Sequence, residues 1–152
     1  SVLGVGRQGI GAVRDYDAFT VFFQKAFADG WIAQANYTLA FLRGNYEGLF
    51  RSETGQLDPF ITSLFDLPDL VANKNGPLGG DRTHEIKLFG AKDFEIPGDM
   101  LLQIGGSFRA TSGNPTSYLG SHWLYGLDEI AMLKVGEGNR LPWSYRFDLR
   151  VG

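Results

Sequence analysis

Residues 19 to 42 read Phe-Thr-Val-Phe-Phe-Gln-Lys-Ala-Phe-Ala-Asp-Gly-Trp-Ile-Ala-Gln-Ala-Asn-Tyr-Thr-Leu-Ala-Phe-Leu. Two alternating arms meet at Asp29-Gly30, a pair suited to a two-residue type I′ hairpin turn, whose central residues both need positive φ. On the first arm Phe19, Val21, Phe23 and Phe27 share one face, and Thr20, Gln24 and Ala26 share the other. On the second, Trp31, Ala33, Ala35, Tyr37, Leu39 and Phe41 oppose Gln34, Asn36 and Thr38. Each arm has twelve or more residues, against about five or six in an ordinary strand. A tilted strand crossing a bilayer needs about 9–11 residues. Length, more than alternation, therefore points to membrane-spanning strands.

Working outward, the same pattern predicts strands over 15–28, 31–42, 82–94, 100–111 and 143–151. Pro97-Gly98-Asp99 supplies a second tight turn. The connections alternate between short (29–30, 95–99) and long (43–80, 113–141). Residues 113–141 read as irregular, and 58–70 has room for one short helix between Pro59 and Pro68. Compact soluble domains rarely hold two structureless loops longer than about 15 residues. Outer-membrane barrels combine short periplasmic turns with long extracellular loops. The expected fold is an all-β, antiparallel transmembrane β-barrel segment, with 43–80 and 113–141 outside.

The two faces of each strand differ in kind. Trp143, Tyr145, Phe147, Leu149 and Val151 oppose Ser144, Arg146, Asp148 and Arg150; Ile86 and Leu88 oppose Glu85 and Lys87; Leu102, Ile104 and Phe108 oppose Gln103, Ser107 and Arg109. A soluble barrel would turn the apolar set inward, whereas a large membrane barrel inverts this. Phe27, Trp31 and Trp143 stand at strand ends, as interfacial aromatic girdles would. The expected lumen- and plug-facing set is Glu85, Lys87, Gln103, Arg109, Arg146, Asp148 and Arg150. Five strands fall short of the roughly eight that close the smallest barrels, so the chain is expected to be one piece of a larger barrel.

Composition narrows the function classes. The chain has 152 residues, a net charge of −3 and no cysteine, which excludes disulfides and thiolate metal sites and gives no reason to expect nucleic acid. Glycine at 21 residues and aromatics at 14% suit a turn-rich β protein. No apolar run approaches 18 residues, so no transmembrane helix is expected, while a mean hydropathy of −0.12 does not argue against a barrel. With no initiator Met and no signal peptide, the chain is expected to be a mature product or part of something longer. Gly4-Val5-Gly6-Arg7-Gln8-Gly9 matches a dinucleotide fingerprint in letters, but no strand precedes it and no helix follows, so a loop is expected. His84 and His122 lack metal-ligand spacing; Asp58, Asp66 and Asp69 share a loop without an EF-hand pattern. No Ser, Cys or carboxylate constellation supports catalysis. No enzyme activity, metal or cofactor is expected.

Several motifs carry a resemblance. Asn75-Gly76-Pro77-Leu78-Gly79-Gly80-Asp81-Arg82-Thr83-His84-Glu85-Ile86-Lys87-Leu88-Phe89-Gly90 resembles a stretch of TonB-dependent receptors, as do Gly106 to Pro115, Tyr125-Gly126 and Arg140-Leu141-Pro142-Trp143. Arg14 to Ala18 and Gly44 to Leu49 fit as well, and the closer likeness is to the Oar-like subgroup, whose members carry an N-terminal carboxypeptidase-regulatory-like domain. The resemblance covers most of the chain and would place it late in the barrel.

That resemblance implies a 22-stranded outer-membrane barrel with an internal plug, energised through TonB, for uptake of siderophores, vitamins, glycans or peptides. The implied partners are outer-membrane lipid, the remaining barrel and plug of the same receptor, TonB through that plug, and surface or secreted proteins. This sequence itself contains no plug, no TonB box and no aromatic-ended final strand. The aromatic loop residues Phe50, Phe60, Phe65, Trp123 and Tyr125 are the expected ligand or partner contacts, because exposed aromatics supply binding area. Two other classes fit the same residues: a surface adhesin without transport, and a soluble β-sandwich binding module.

Overall fold

The structure is a computed structural model that describes residues 11–51, 54–58, 63–98 and 100–152. Its elements in chain order are β1 (Arg14–Ala28), β2 (Trp31–Gly44), the single helical turn α1 (Pro68–Val71), β3 (Gly76–Pro77), β4 (His84–Ile96), β5 (Met100–Thr111), β6 (Leu119–His122), β7 (Gly126–Ala131) and β8 (Ser144–Val151). The described residues are all-β apart from α1. Its main sheet runs β1-β2-β4-β5-β8, with β3 attached to β2, and the pairs β2–β4, β4–β5 and β5–β8 are antiparallel. It is an open barrel-type sheet of long neighbouring strands.

Two compact units divide the residues. The strand unit comprises Asp17–Phe41, Arg82–Gly113 and Leu141–Gly152. Its first turn has Asp29 at φ 55° and Gly30 at φ 73°, the double left-handed geometry that Asp-Gly favours. Lys25 closes this turn by donating from Nζ to the Ala28 carbonyl at 2.8 Å, while lying 4.0 Å over the Trp31 ring.

The ladder then carries each face across the sheet in rows. Tyr37, Ile86, Ala110 and Tyr145 form one apolar row; Ala35, Leu88, Phe108 and Phe147 form the next; Ala33, Gly90, Gly106 and Leu149 follow. Side chains alternate along a strand, so the intervening rows occupy the opposite face. Among the described residues of this unit, the fully buried apolar side chains are only Ala40 and Ala110. Phe19, Val21, Phe23, Phe27, Tyr145, Phe147, Leu149 and Val151 are each at least half exposed. Burying such a side chain stabilises by about 1.5–3 kcal/mol. A sheet with this many uncovered is not built around a water-excluding core of its own.

The loop unit comprises 11–16, Leu42–Asp81 and Asn114–Arg140, and it does have a small core, formed by Leu64, Leu70, Leu78, Ala131 and Val135. Asp81, 2% exposed, organises one side of it. Its Oδ1 accepts the Leu42 amide at 2.7 Å, its Oδ2 pairs with Arg140, and Arg140 Nη1 donates to the Asp81 carbonyl at 3.1 Å. Close backbone approach fixes another point: a Cβ on Gly76 would lie 2.0 Å from the Val135 carbonyl oxygen.

Three details differ from the sequence-based expectation. Residues 113–141 are not irregular throughout, because β6 and β7 pair as an antiparallel hairpin and Pro115 bridges Arg140. These strands have four and six residues, and positive φ at Gly126 and Asp128 breaks the pattern, so period-2 alternation is too brief to read. The described helical turn starts at Pro68, in keeping with the tolerance of proline in a first turn, and 59–62 lie outside the described residues. In the second turn, pairing continues to Ile96–Met100, which shortens the connection; Asp99 lies outside the described residues, as do the glycines of the 4–9 motif.

Replacing Asp81 by Ala removes the acceptor of the Leu42 amide and the carboxylate that pairs with Arg140, at a cost of about 2 kcal/mol. Hydrogen exchange in the intact protein should show the Leu42 amide exchanging about thirtyfold faster, whereas Phe108 and Leu149 in the sheet keep their protection.

Candidate functional site

In the strand unit the charged residues collect on one face. Asn36, Lys87, Arg109 and Arg146 form a row, flanked by Thr38-Glu85-Thr111-Ser144 on one side and Gln34-Phe89-Ser107-Asp148 on the other. Three adjacent cations would repel each other across a ladder. Carboxylates relieve this: Glu85 takes Lys87 Nζ at 2.8 Å on one oxygen and Arg109 on the other, while Asp148 takes Arg146 Nε at 3.0 Å and the Ser107 hydroxyl at 3.2 Å. Gln103 donates to Asp93 at 2.9 Å, and Arg150 lies across from Gly105. Exposed pairs of this sort contribute little to stability, with a median of about 0–1 kcal/mol. Their effect is to make this face hydrated and nearly self-neutralised.

Aromatic groups gather at both ends of the opposite face. At the short-turn end stand Phe27, Trp31 and Phe94, with Lys92 Nζ 5.1 Å from the Phe94 ring centroid. At the other end His84 stacks between Tyr37 (6.2 Å) and Trp143 (5.8 Å), and its Nδ1 hydrogen-bonds the Tyr37 hydroxyl at 2.9 Å. His84 is thus an amphipathic member of an aromatic cluster on the apolar face.

The loop unit holds a cavity of about 560 Å³. Arg51 and Gln56, on its lining, are joined by reciprocal backbone bonds of 3.1 and 3.0 Å. Arg51 is 6% exposed and pairs through Nη1 with Glu129 at 3.0 Å. Ser63 accepts from the same Nη1 at 3.3 Å and donates to Glu129 at 2.7 Å. Opposite, the Tyr125 hydroxyl donates to Asp66 at 3.0 Å. Beneath the hairpin turn His122 is almost wholly buried, and its Nδ1 accepts the Leu124 and Tyr125 amides at 3.2 and 3.3 Å, which fixes the proton of the neutral ring on Nε2.

The chain is 54% identical over 140 residues, 92% of its length, to the TonB-dependent transporter Oar of Myxococcus xanthus. The chain belongs to the TonB-dependent transporter family. It spans 13% of the length of that relative. No protein-family model matches the chain, and no solved structure matches it.

In this TonB-dependent transporter segment the residues singled out from sequence fall into three groups. Glu85, Lys87, Arg109, Arg146 and Asp148 form the connected charge network just described, and Gln103 and Arg150 lie on the same face nearer the short turns. Phe50 is exposed, Phe65 packs on Tyr46 at 6.4 Å, Trp123 is 85% exposed, and Tyr125 lines the cavity. Phe60 lies outside the described residues. Asp58, Asp66 and Asp69 go separate ways: Asp66 to Tyr125, Asp69 to within 3.8 Å of His122 Nε2, and Asp58 by its amide to Gln56. Among the described residues no group of three His, Asp or Glu could hold a metal.

Arg51, Thr54, Ser63 and Glu129 were not legible as a site. Arg51 and Glu129 are 78 residues apart, and no periodicity links a loop arginine to a carboxylate on a six-residue strand.

The Asp66 carboxylate accepts the Tyr125 hydroxyl and so favours its protonated form, with partial desolvation and the nearby Glu129 charge acting in the same direction; the phenol is raised above its ordinary value. A raised folded-state value means that the contact is complete below the ordinary tyrosine value of about 10 and is lost as pH rises through the raised one. In an ultraviolet titration at 295 nm, the difference between wild type and Tyr125→Phe should therefore titrate above pH ~10, and Asp66→Asn should lower that midpoint.

Proposed function

We propose that this chain is part of the wall and outer loops of an outer-membrane TonB-dependent receptor in a Gram-negative bacterium, and that the whole receptor carries out gated, energy-coupled uptake of a small ligand, glycan or peptide. The observation that carries this is the coreless sheet with a continuous apolar face between two aromatic ends. From the Trp31–Lys92 pair to the Leu39–His84 pair is eight residue steps, or about 26 Å along the strand at ~3.3 Å per residue and about 20 Å along the membrane normal at the ~40° tilt of barrel strands. Barrels of this class present an apolar band about 25 Å tall between aromatic girdles. The homology supports the same reading.

On this basis Leu88, Phe108, Phe147 and Leu149 face outer-membrane lipid. Glu85, Lys87, Gln103, Arg109, Arg146, Asp148 and Arg150 face the lumen, where they meet water and a plug. The short turns lie on the periplasmic side, and 43–80 and 113–141 lie outside. Strands from elsewhere in the receptor cover β1 and β8, the outer strands of this sheet, because bare edges invite aggregation. Energy coupling reaches this wall through the plug and TonB. Phe22 and Phe89 interrupt the polar face and offer the plug an apolar contact. Adhesion through the loops has one specific point in its favour: Trp123 and Leu127, 85% and 77% exposed, stand beside the turn of the β6–β7 hairpin.

Leu88→Arg should destabilise the folded receptor by about 2–4 kcal/mol, as charges do near the midplane of a barrel's lipid face, whereas Ser107→Arg on the other face should be tolerated. Refolding yield into lipid vesicles, read by heat-modifiable gel mobility, checks the pair. Equal effects at both positions would remove the lipid assignment.

A further inference from the structure

We propose that the apolar face of the strand unit carries a groove that holds one anionic phospholipid of the periplasmic leaflet. This rests on the receptor reading and deepens it: bulk lipid covers the rest of that face, whereas the groove discriminates between headgroups.

The groove is a hollow of about 390 Å³ on the apolar face. Its floor is one row, Ala33, Gly90 and Gly106, on β2, β4 and β5. The Leu88–Phe108 row stands on one side and the Trp31–Lys92–Ile104 row on the other. Leu88 and Lys92 are four residues apart along β4, or about 13 Å at ~3.3 Å per residue. Leu149, opposite Gly106, closes the β8 end. The backbone does not demand glycine at 90 or 106. Neither has a left-handed φ, and an added Cβ would come no nearer than 3.5 Å to another atom, an ordinary contact. Glycine inside a strand marks a bulge, a bend or a surface left clear for another molecule. The β4–β5 ladder passes through Gly90–Gly106 without a register shift, so there is no bulge, and the hollow itself supports the last. An acyl chain suits an apolar floor of this kind.

Charge decides the headgroup. Lys92 is exposed at the short-turn side of the hollow, in register with Trp31. Among the described residues no carboxylate pairs with it. The neighbouring Asp93 alternates to the other face, where it accepts from Gln103. Lys25 brings a second cation to the same indole: its Nζ lies 4.0 Å over the Trp31 ring and bonds only the backbone carbonyls of Ala26, Ala28 and Trp31, at 3.4, 2.8 and 3.3 Å. Two lysines beside an interfacial tryptophan, neither neutralised by a carboxylate, complement a phosphodiester at headgroup level. A zwitterionic lipid brings its own ammonium with its phosphate, so a lipid with net negative charge is the better partner.

The test uses the intact receptor, delipidated in detergent and titrated with dioleoyl phosphatidylglycerol, dioleoyl phosphatidylethanolamine and lipid A, with retained lipid read by native mass spectrometry. One phosphatidylglycerol should be retained in preference to the other two. Lys92→Gln should weaken its retention about fivefold, and Lys92→Arg should keep it. Gly90→Val, which fills the hollow with a residue suited to strands, should weaken it as well, whereas Lys134→Gln in the loop unit should have no effect. If Gly90→Val does not fold, the two Lys92 variants decide. In a folded, heat-modifiable receptor, equal retention of phosphatidylglycerol and phosphatidylethanolamine overturns the site and leaves the receptor reading standing. So does a preference for lipid A, or phosphatidylglycerol retention indifferent to Lys92→Gln or to a folded Gly90→Val. A protein that proves soluble and monomeric without detergent overturns the receptor reading and the lipid site together.

Discussion

In-register pairing of β2, β4, β5 and β8 is the constraint on which the rest of the structure depends. Side chains alternate with a period of two, so a slip of one residue in any ladder would move that strand's whole apolar set to the opposite face. The Leu88–Phe108–Phe147 row would then meet Lys87, Arg109 or Arg146. Two devices pin the register. The Asp29-Gly30 turn, with both residues left-handed, allows only one loop length between β1 and β2. On the polar face the bonds from Glu85 to Arg109, and from Asp148 to Ser107, match only one alignment of β4, β5 and β8.

Because the register keeps the faces apart, the sheet has no need of a core. Its apolar face is left open over the strand unit, while the loop unit buries Leu64, Leu70, Leu78, Ala131 and Val135 among its own residues. The two units thus use opposite solutions to the same hydrophobic constraint. A lipid-facing wall keeps apolar groups outside and satisfies backbone groups within the ladder; a water-facing loop region folds them inward around a charged clamp such as Asp81–Arg140.

The same contrast explains what was legible in the sequence. Long strands announce themselves through alternation sustained over a dozen residues, and Asp-Gly names its own turn type, so the hairpin and the two faces could be derived from residues alone. The polar set at Glu85, Lys87, Arg109, Arg146 and Asp148 followed from that alternation. Sequence reasoning failed where order arises from contacts distant along the chain. The β6–β7 hairpin is too short for its period to emerge. His122 became a buried cap of a turn, His84 an aromatic-stack member, and Arg51 a partner of Glu129, each through tertiary placement that no local pattern encodes.

The central claim is that odd- and even-numbered residues of β8 face lipid and water respectively. This chain has no cysteine, so single cysteines introduced at positions 145 to 150 report on one site each in a receptor otherwise free of them. Nitroxide labels at Tyr145→Cys, Phe147→Cys and Leu149→Cys should collide with dissolved oxygen in vesicles and be shielded from a water-soluble nickel chelate. Labels at Arg146→Cys, Asp148→Cys and Arg150→Cys should show the reverse. An alternation of the opposite phase, or equal exposure to the nickel chelate at all six positions, would contradict the account.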